Sequence, residues 1–140
     1  MEYKSGKKYQ LYRREVYKSN ILGYDIKGRH YRIEPDGTIV GQIGYAWDGA
    51  SGPTYDDKTN MRASLFHDIL YQAISERKLP YSERDKADDI LYNIMIEDGA
   101  FKFRARYYRW AMSTPFAKMA ARSREKVFVI KNGKKTSYYT

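Results

Sequence analysis

The chain has 140 residues, with 26 Lys and Arg against 17 Asp and Glu, a net charge of +9, and 42% hydrophobic residues. That length is one domain, 1–140, with room for a core that needs no staple, and the apolar fraction excludes wholesale disorder. Cysteine is absent, which excludes a disulfide scaffold and every thiolate zinc site. No apolar run approaches the roughly 18 residues of a membrane-crossing helix. The basic start, Met1 to Lys8, has no apolar stretch behind it to make a signal peptide.

Residues 8–46 carry strand-like patterns. Tyr9 to Tyr12 and Glu15 to Lys18 are short, aromatic and loosely alternating. His30 to Glu34 and Thr38 to Ile43 flank Pro35-Asp36-Gly37, whose fixed φ and following glycine predict a hairpin. Residues 44–60 are broken by glycine, proline and serine and read as a long ordered loop.

Helical periodicity follows. Met61 to Ser75 places Leu65, Ile69, Leu70 and Ala73 on one stripe. Ser82 is the expected N-cap of a second helix reaching about Asp98, where Gly99 stops it. A third helix is expected from Lys102 to Ser123, with a kink at Pro115, completing a three-helix block over 61–123. Lys126 to Ile130 reads as a strand entering an Asn132-Gly133 turn, so residues 126–139 form a hairpin. The expected class is α+β: a small antiparallel sheet of N-terminal hairpins and C-terminal strands, packed with three helices.

Chemistry concentrates in Ser64-Leu65-Phe66-His67-Asp68-Ile69-Leu70-Tyr71, which holds one of only two histidines. On a helix, His67 and Tyr71 share a face while Asp68 points about 100° away, so the two polar residues reach different neighbours. Upstream lies the loop Gly44 to Pro53, with Trp47-Asp48-Gly49; downstream lies Arg84-Asp85-Lys86-Ala87-Asp88.

Trp47-Asp48-Gly49-Ala50-Ser51, the His67-Asp68 helix and Arg84 to Asp88 together resemble a family called domain of unknown function 1353. Its members, found mostly in tailed phages, pair an Asp-x-Ala-Ser loop with a His-Asp-x-Leu-Tyr helix and an Arg-x-x-Ala-Asp helix. The resemblance spans about residues 8–120 and implies a phage origin, with the host cytoplasm or the virion as the place of action and virion proteins as partners. A weaker likeness links Gly49 to Gly52, Arg62, His67, Asp68, Tyr71 and Asp88 to secreted calcium-dependent phospholipases of the His-Asp type. That likeness implies a hydrolase of an ester or phosphoester. His67 would be its base, Asp88 and Tyr71 the supporting residues, and Asp68 with the 44–52 loop, including Asp48, the holder of calcium or magnesium.

The residues themselves leave two readings open. In one, His67, Tyr71 and Asp88 are catalytic, with Arg62 and Arg84 meeting an anion. In the other, a non-enzymatic virion or host-interaction protein uses the same His, Asp, Tyr and Arg side chains as a polar tie between two helices. Asp48 can equally bond its own loop backbone, Trp47 can plug the core, and Arg62 can pair with Asp68 or Asp88. A metal-dependent phosphohydrolase of the His…His-Asp…Asp kind needs another helical histidine, and only His30, in strand-like sequence, remains; a serine triad on Ser51 or Ser64 lacks a Gly-x-Ser-x-Gly turn. The third helix sets Lys102, Arg106 and Arg109 on one face and Phe103, Tyr107 and Trp110 on another. That pattern fits an anionic membrane surface, nucleic acid or a partner groove, or an ordinary packing helix with a basic back.

Overall fold

The computed structural model describes residues 3–4, 9–47, 49, 57–112, 128–131 and 134–137. Strands β1 (Tyr3–Lys4), β2 (Tyr9–Leu11), β3 (Glu15–Lys18), β4 (Ile26–Gly28), β5 (Tyr31–Ile33), β6 (Thr38–Gly41) and β7 (Ala46–Trp47) precede the helices. Helices α1 (Met61–Ser75), α2 (Arg84–Glu97) and α3 (Lys102–Met112) follow, then β8 (Phe128–Lys131) and β9 (Lys134–Ser137). The fold is α+β, and every strand pair is antiparallel.

The strands divide into three sheets, ordered β1-β2-β7, β3-β6-β5-β4 and β8-β9. The C-terminal hairpin is therefore a sheet of its own. Pro35-Asp36-Gly37 turns β5 into β6 as its residue types require, pairing Ile33 with Ile39, and Asp36 accepts from the Thr38 amide. Strands β4 and β7, three and two residues long, are too short for an alternating pattern to stand out from the sequence. They exist because β5 and β2 present free edges to them.

Helix α1 is central. Leu65, Phe66, Ile69, Leu70 and Ile74 are fully buried between the sheets on one side and Ala87, Leu91, Ile94 and Met95 of α2 on the other. Phe66 meets Tyr17 of β3 with ring centroids 5.7 Å apart. A helix enclosed on two sides is apolar over most of its circumference, which is why its polar residues are confined to a few positions. Trp47 is buried and donates its indole N–H to Ser64 Oγ at 3.0 Å, so it plugs the core beside the start of α1.

Two helix boundaries differ from expectation. Ser82 lies inside a single 3-10 turn, Tyr81–Glu83, and the residue preceding α2 is Glu83, with no side-chain cap. The chain approaches α2 already coiled, so the serine has no extended position from which to cap it. Helix α3 is described to Met112, and the expected continuation to Ser123, with Pro115, lies outside the described residues.

Candidate functional site

Helices α1 and α2 run antiparallel: Arg62 near the start of α1 meets Glu97 and Asp98 at the end of α2, while His67 and Tyr71 meet Asp88. The i,i+4 spacing of His67 and Tyr71 brings both side chains to one carboxylate oxygen. His67 Nε2 lies 2.9 Å from Asp88 Oδ1, and the Tyr71 hydroxyl donates to the same oxygen at 2.7 Å. Their rings pack with centroids 4.1 Å apart. Arg84, one turn before Asp88, donates from Nη1 to Asp88 Oδ2 at 2.9 Å, and Arg109 of α3 approaches that oxygen at 3.6 Å.

Asp88 is fully buried and Arg84 nearly so. A carboxylate removed from water must be compensated, and here both oxygens are occupied. With the Arg84 guanidinium on Oδ2 and the Tyr71 hydroxyl donating to Oδ1, Nε2 of His67 is assigned as the nitrogen that donates to Asp88, and Nδ1 is the nitrogen turned away from it. Burial raises the Tyr71 hydroxyl above its ordinary pKa and the Asp88 charge adds to it, so Tyr71 is a donor. Burial opposes the Arg84 cation, but Tyr71 and Asp88 more than offset this, and its pKa rises. The remaining Nη2 pairs with exposed Asp85 at 2.7 Å, whereas Nε is buried without a hydrogen-bond acceptor among the described residues.

Asp68 points elsewhere, as helical geometry requires. The Tyr45 hydroxyl lies 2.8 Å from Asp68 Oδ2 and 2.9 Å from Gln72 Oε1; it has one proton, and the charged carboxylate is the stronger acceptor. Burial, then the Asp68 charge, pushes the Tyr45 hydroxyl above its ordinary pKa. Asp48, the other metal-ligand candidate, lies outside the described residues, as do 50–56 of the glycine-rich loop. Among the described residues, no group of three or more His, Asp or Glu side chains is arranged to hold a metal ion.

Arg62 meets neither Asp68 nor Asp88. Its Nε and Nη2 donate to Asp98, and Nη2 also to Glu97, each at 3.1 Å. The C-terminal carboxylates of α2 lie opposite the N-terminal turn of α1 in the antiparallel pair, and the guanidinium is held there. Of the site residues, His67, Tyr71, Arg84 and Asp88 thus converge, while Arg62 and Asp68 belong to separate contacts. Arg109 is the member that spacing within α1 and α2 could not reveal, since it comes from a third helix. It also pairs with Asp89 at 2.8 Å.

A concavity of about 320 Å³ opens on the sheet side, lined by Gln10, Arg29, His30, Gly44, Tyr45 and Gln72 among others. His30 sits there in the β4–β5 turn with φ +66°. A second, of about 590 Å³, lies between β3 and α2, lined by Lys18, Ser19, Asn20, Asp89, Tyr92 and Asn93 among others. His67 lines neither of them.

Compared with known proteins, the chain matches no protein-family model, no curated protein and no solved structure.

Proposed function

We propose that the chain is a non-enzymatic interaction protein of a phage, in which His67, Tyr71, Arg84 and Asp88 tie α1 to α2. The observation that carries this reading is the complete burial of Asp88 with both oxygens engaged by three helices. A carboxylate that serves a general base uses its charge to stabilise the imidazolium. Here that charge is already compensated by Arg84 and approached by Arg109, so it orients the ring and joins the helices. The phage origin rests on the three ordered motifs described from the sequence.

A hydrolase acting on an ester or phosphoester is the second reading, and one observation favours it. Asp88 takes Nε2 of His67, so Nδ1 is left as proton acceptor on a side chain that retains 11% of its exposure.

His67→Ala separates the two. As a tie, it removes a hydrogen bond to a buried carboxylate and costs roughly 1–3 kcal/mol in urea unfolding. Wild-type protein then shows no turnover of p-nitrophenyl esters or phosphoesters. Turnover by wild type that His67→Ala abolishes, with the variant as stable as its parent, overturns the tie.

A further inference from the structure

Helix α3 turns its aromatic face outward. Its packing side is Ala105 and Tyr108, both buried, with Arg104 drawn to Asp57 and Arg109 to Asp89. On the other side Phe101, Phe103, Tyr107 and Trp110 are 72%, 75%, 41% and 63% exposed. Lys102 and Arg106 are exposed with them. In angular order Lys102, Arg106, Trp110, Phe103 and Tyr107 cover about 140° of the helix circumference, cations at one edge and rings at the other. Contiguous exposed aromatics of this extent mark an interaction surface.

We infer that this face docks on an anionic lipid surface, the helix lying in the interface plane. Three observations argue for lipid. The helix contains no acidic residue, and the sequence from Gly99 to Arg124 holds Lys102, Arg104, Arg106, Arg109, Lys118, Arg122 and Arg124 without one. Of these, Lys102 and Arg106 stand exposed on the described helix, where anionic headgroups would meet them. The side-by-side arrangement of a cationic edge and a Trp/Tyr/Phe face is the pattern that places rings at headgroup depth while cations stay in water. Finally, the rings pack on one another: Phe101 stacks on Phe103 with centroids 5.8 Å apart and planes 10° apart, and Tyr107 lies 6.2 Å from Trp110. Rings that fill the spaces between themselves form an apolar wedge and leave fewer open faces on which the bases of a single strand could stack. The docking does not depend on whether the His67–Asp88 cluster is a tie or a catalyst.

Tryptophan emission tests this on the full chain, because of the two tryptophans Trp47 is buried and Trp110 is exposed. Vesicles of equal parts phosphatidylglycerol and phosphatidylcholine should shift the emission to the blue, and pure phosphatidylcholine should not. Lys102→Gln with Arg106→Gln should lower the partition coefficient roughly thirtyfold and flatten its salt dependence. Phe103→Ser with Tyr107→Ser should abolish the shift while leaving the melting temperature unchanged, since both side chains face solvent. Emission unmoved by anionic vesicles overturns the inference. So does tighter binding of a single-stranded oligonucleotide than of vesicles, or a concentration-dependent dimer in sedimentation that the Phe103/Tyr107 variant dissolves.

Discussion

Tyr45 donates to Asp68 across 2.8 Å from the sheet side of α1, while the preceding residue, His67, reaches Asp88 on α2. Two adjacent polar residues thus fasten one central helix to both of its neighbours. The His67–Asp88 contact is buried and the Tyr45–Asp68 contact partly so, and the consequences of breaking them can be ranked from burial and charge.

The Asp88 cluster should behave as a unit. Tyr71→Phe removes one hydrogen bond to a charged acceptor and should cost about 1.5–3 kcal/mol. Asp88→Ala strands Arg84 and should cost about 3–5 kcal/mol. Tyr71→Phe combined with His67→Ala should depart from additivity by more than about 0.5 kcal/mol, because both donate to one oxygen. Urea unfolding of the two single variants and the double variant checks this; additive losses would show that the contacts are independent.

The two candidate anion-binding arginines should respond very differently to neutralisation. Arg62 is a partly exposed partner of Glu97 and Asp98, so Arg62→Gln should cost about 1 kcal/mol or less, an effect that shrinks further in high salt. Arg84→Gln leaves Asp88 buried beside a neutral amide and should cost about 3 kcal/mol or more. Comparable losses at both positions would contradict this ranking.

Stability should fall in alkali. Tyr17, Tyr31, Tyr45 and Tyr71 all have pKa values raised above the model-compound 10.0, in each case first by burial and then by a neighbouring carboxylate. Because the folded values lie above the unfolded one, the folded state holds these protons more tightly. Their contribution is fully present below pH 10 and is lost as the pH rises beyond it. Melting temperature should therefore decline above about pH 10. Tyrosinate absorbance should show a class of hydroxyls that ionises only with unfolding.

Gly37 anchors the β5–β6 turn at φ +93°, and its carbonyl accepts from both the amide and the hydroxyl of Ser19. A Cβ there would lie 2.2 Å from the Ser19 carbonyl oxygen. Gly37→Ala combines left-handed strain with a backbone clash and should cost about 3 kcal/mol. A guanidinium midpoint close to wild type would show that the loop yields more readily than its hydrogen bonds suggest.

The sequence by itself determined what depends on neighbours along the chain. The bounds of α1, the Pro35-Asp36-Gly37 hairpin and the divergence of His67 from Asp68 follow from helical and strand periods and from turn residues. Those preferences act over a few residues and survive whatever packs on them. The i,i+4 spacing that puts His67 and Tyr71 on one face was legible for the same reason, whereas their meeting with Asp88 required α2 to dock on α1.

Tertiary structure alone decided the partners of Arg62, the approach of Arg109 to Asp88 and the division of the strands into separate sheets. It also decided which way α3 faces. Its aromatic stripe reads as a core face by hydrophobicity, yet Ala105 and Tyr108 pack inward, where Arg104 and Arg109 find Asp57 and Asp89. Which face of a helix is buried depends on the summed packing and charge pairing with distant elements, and no local period encodes that sum.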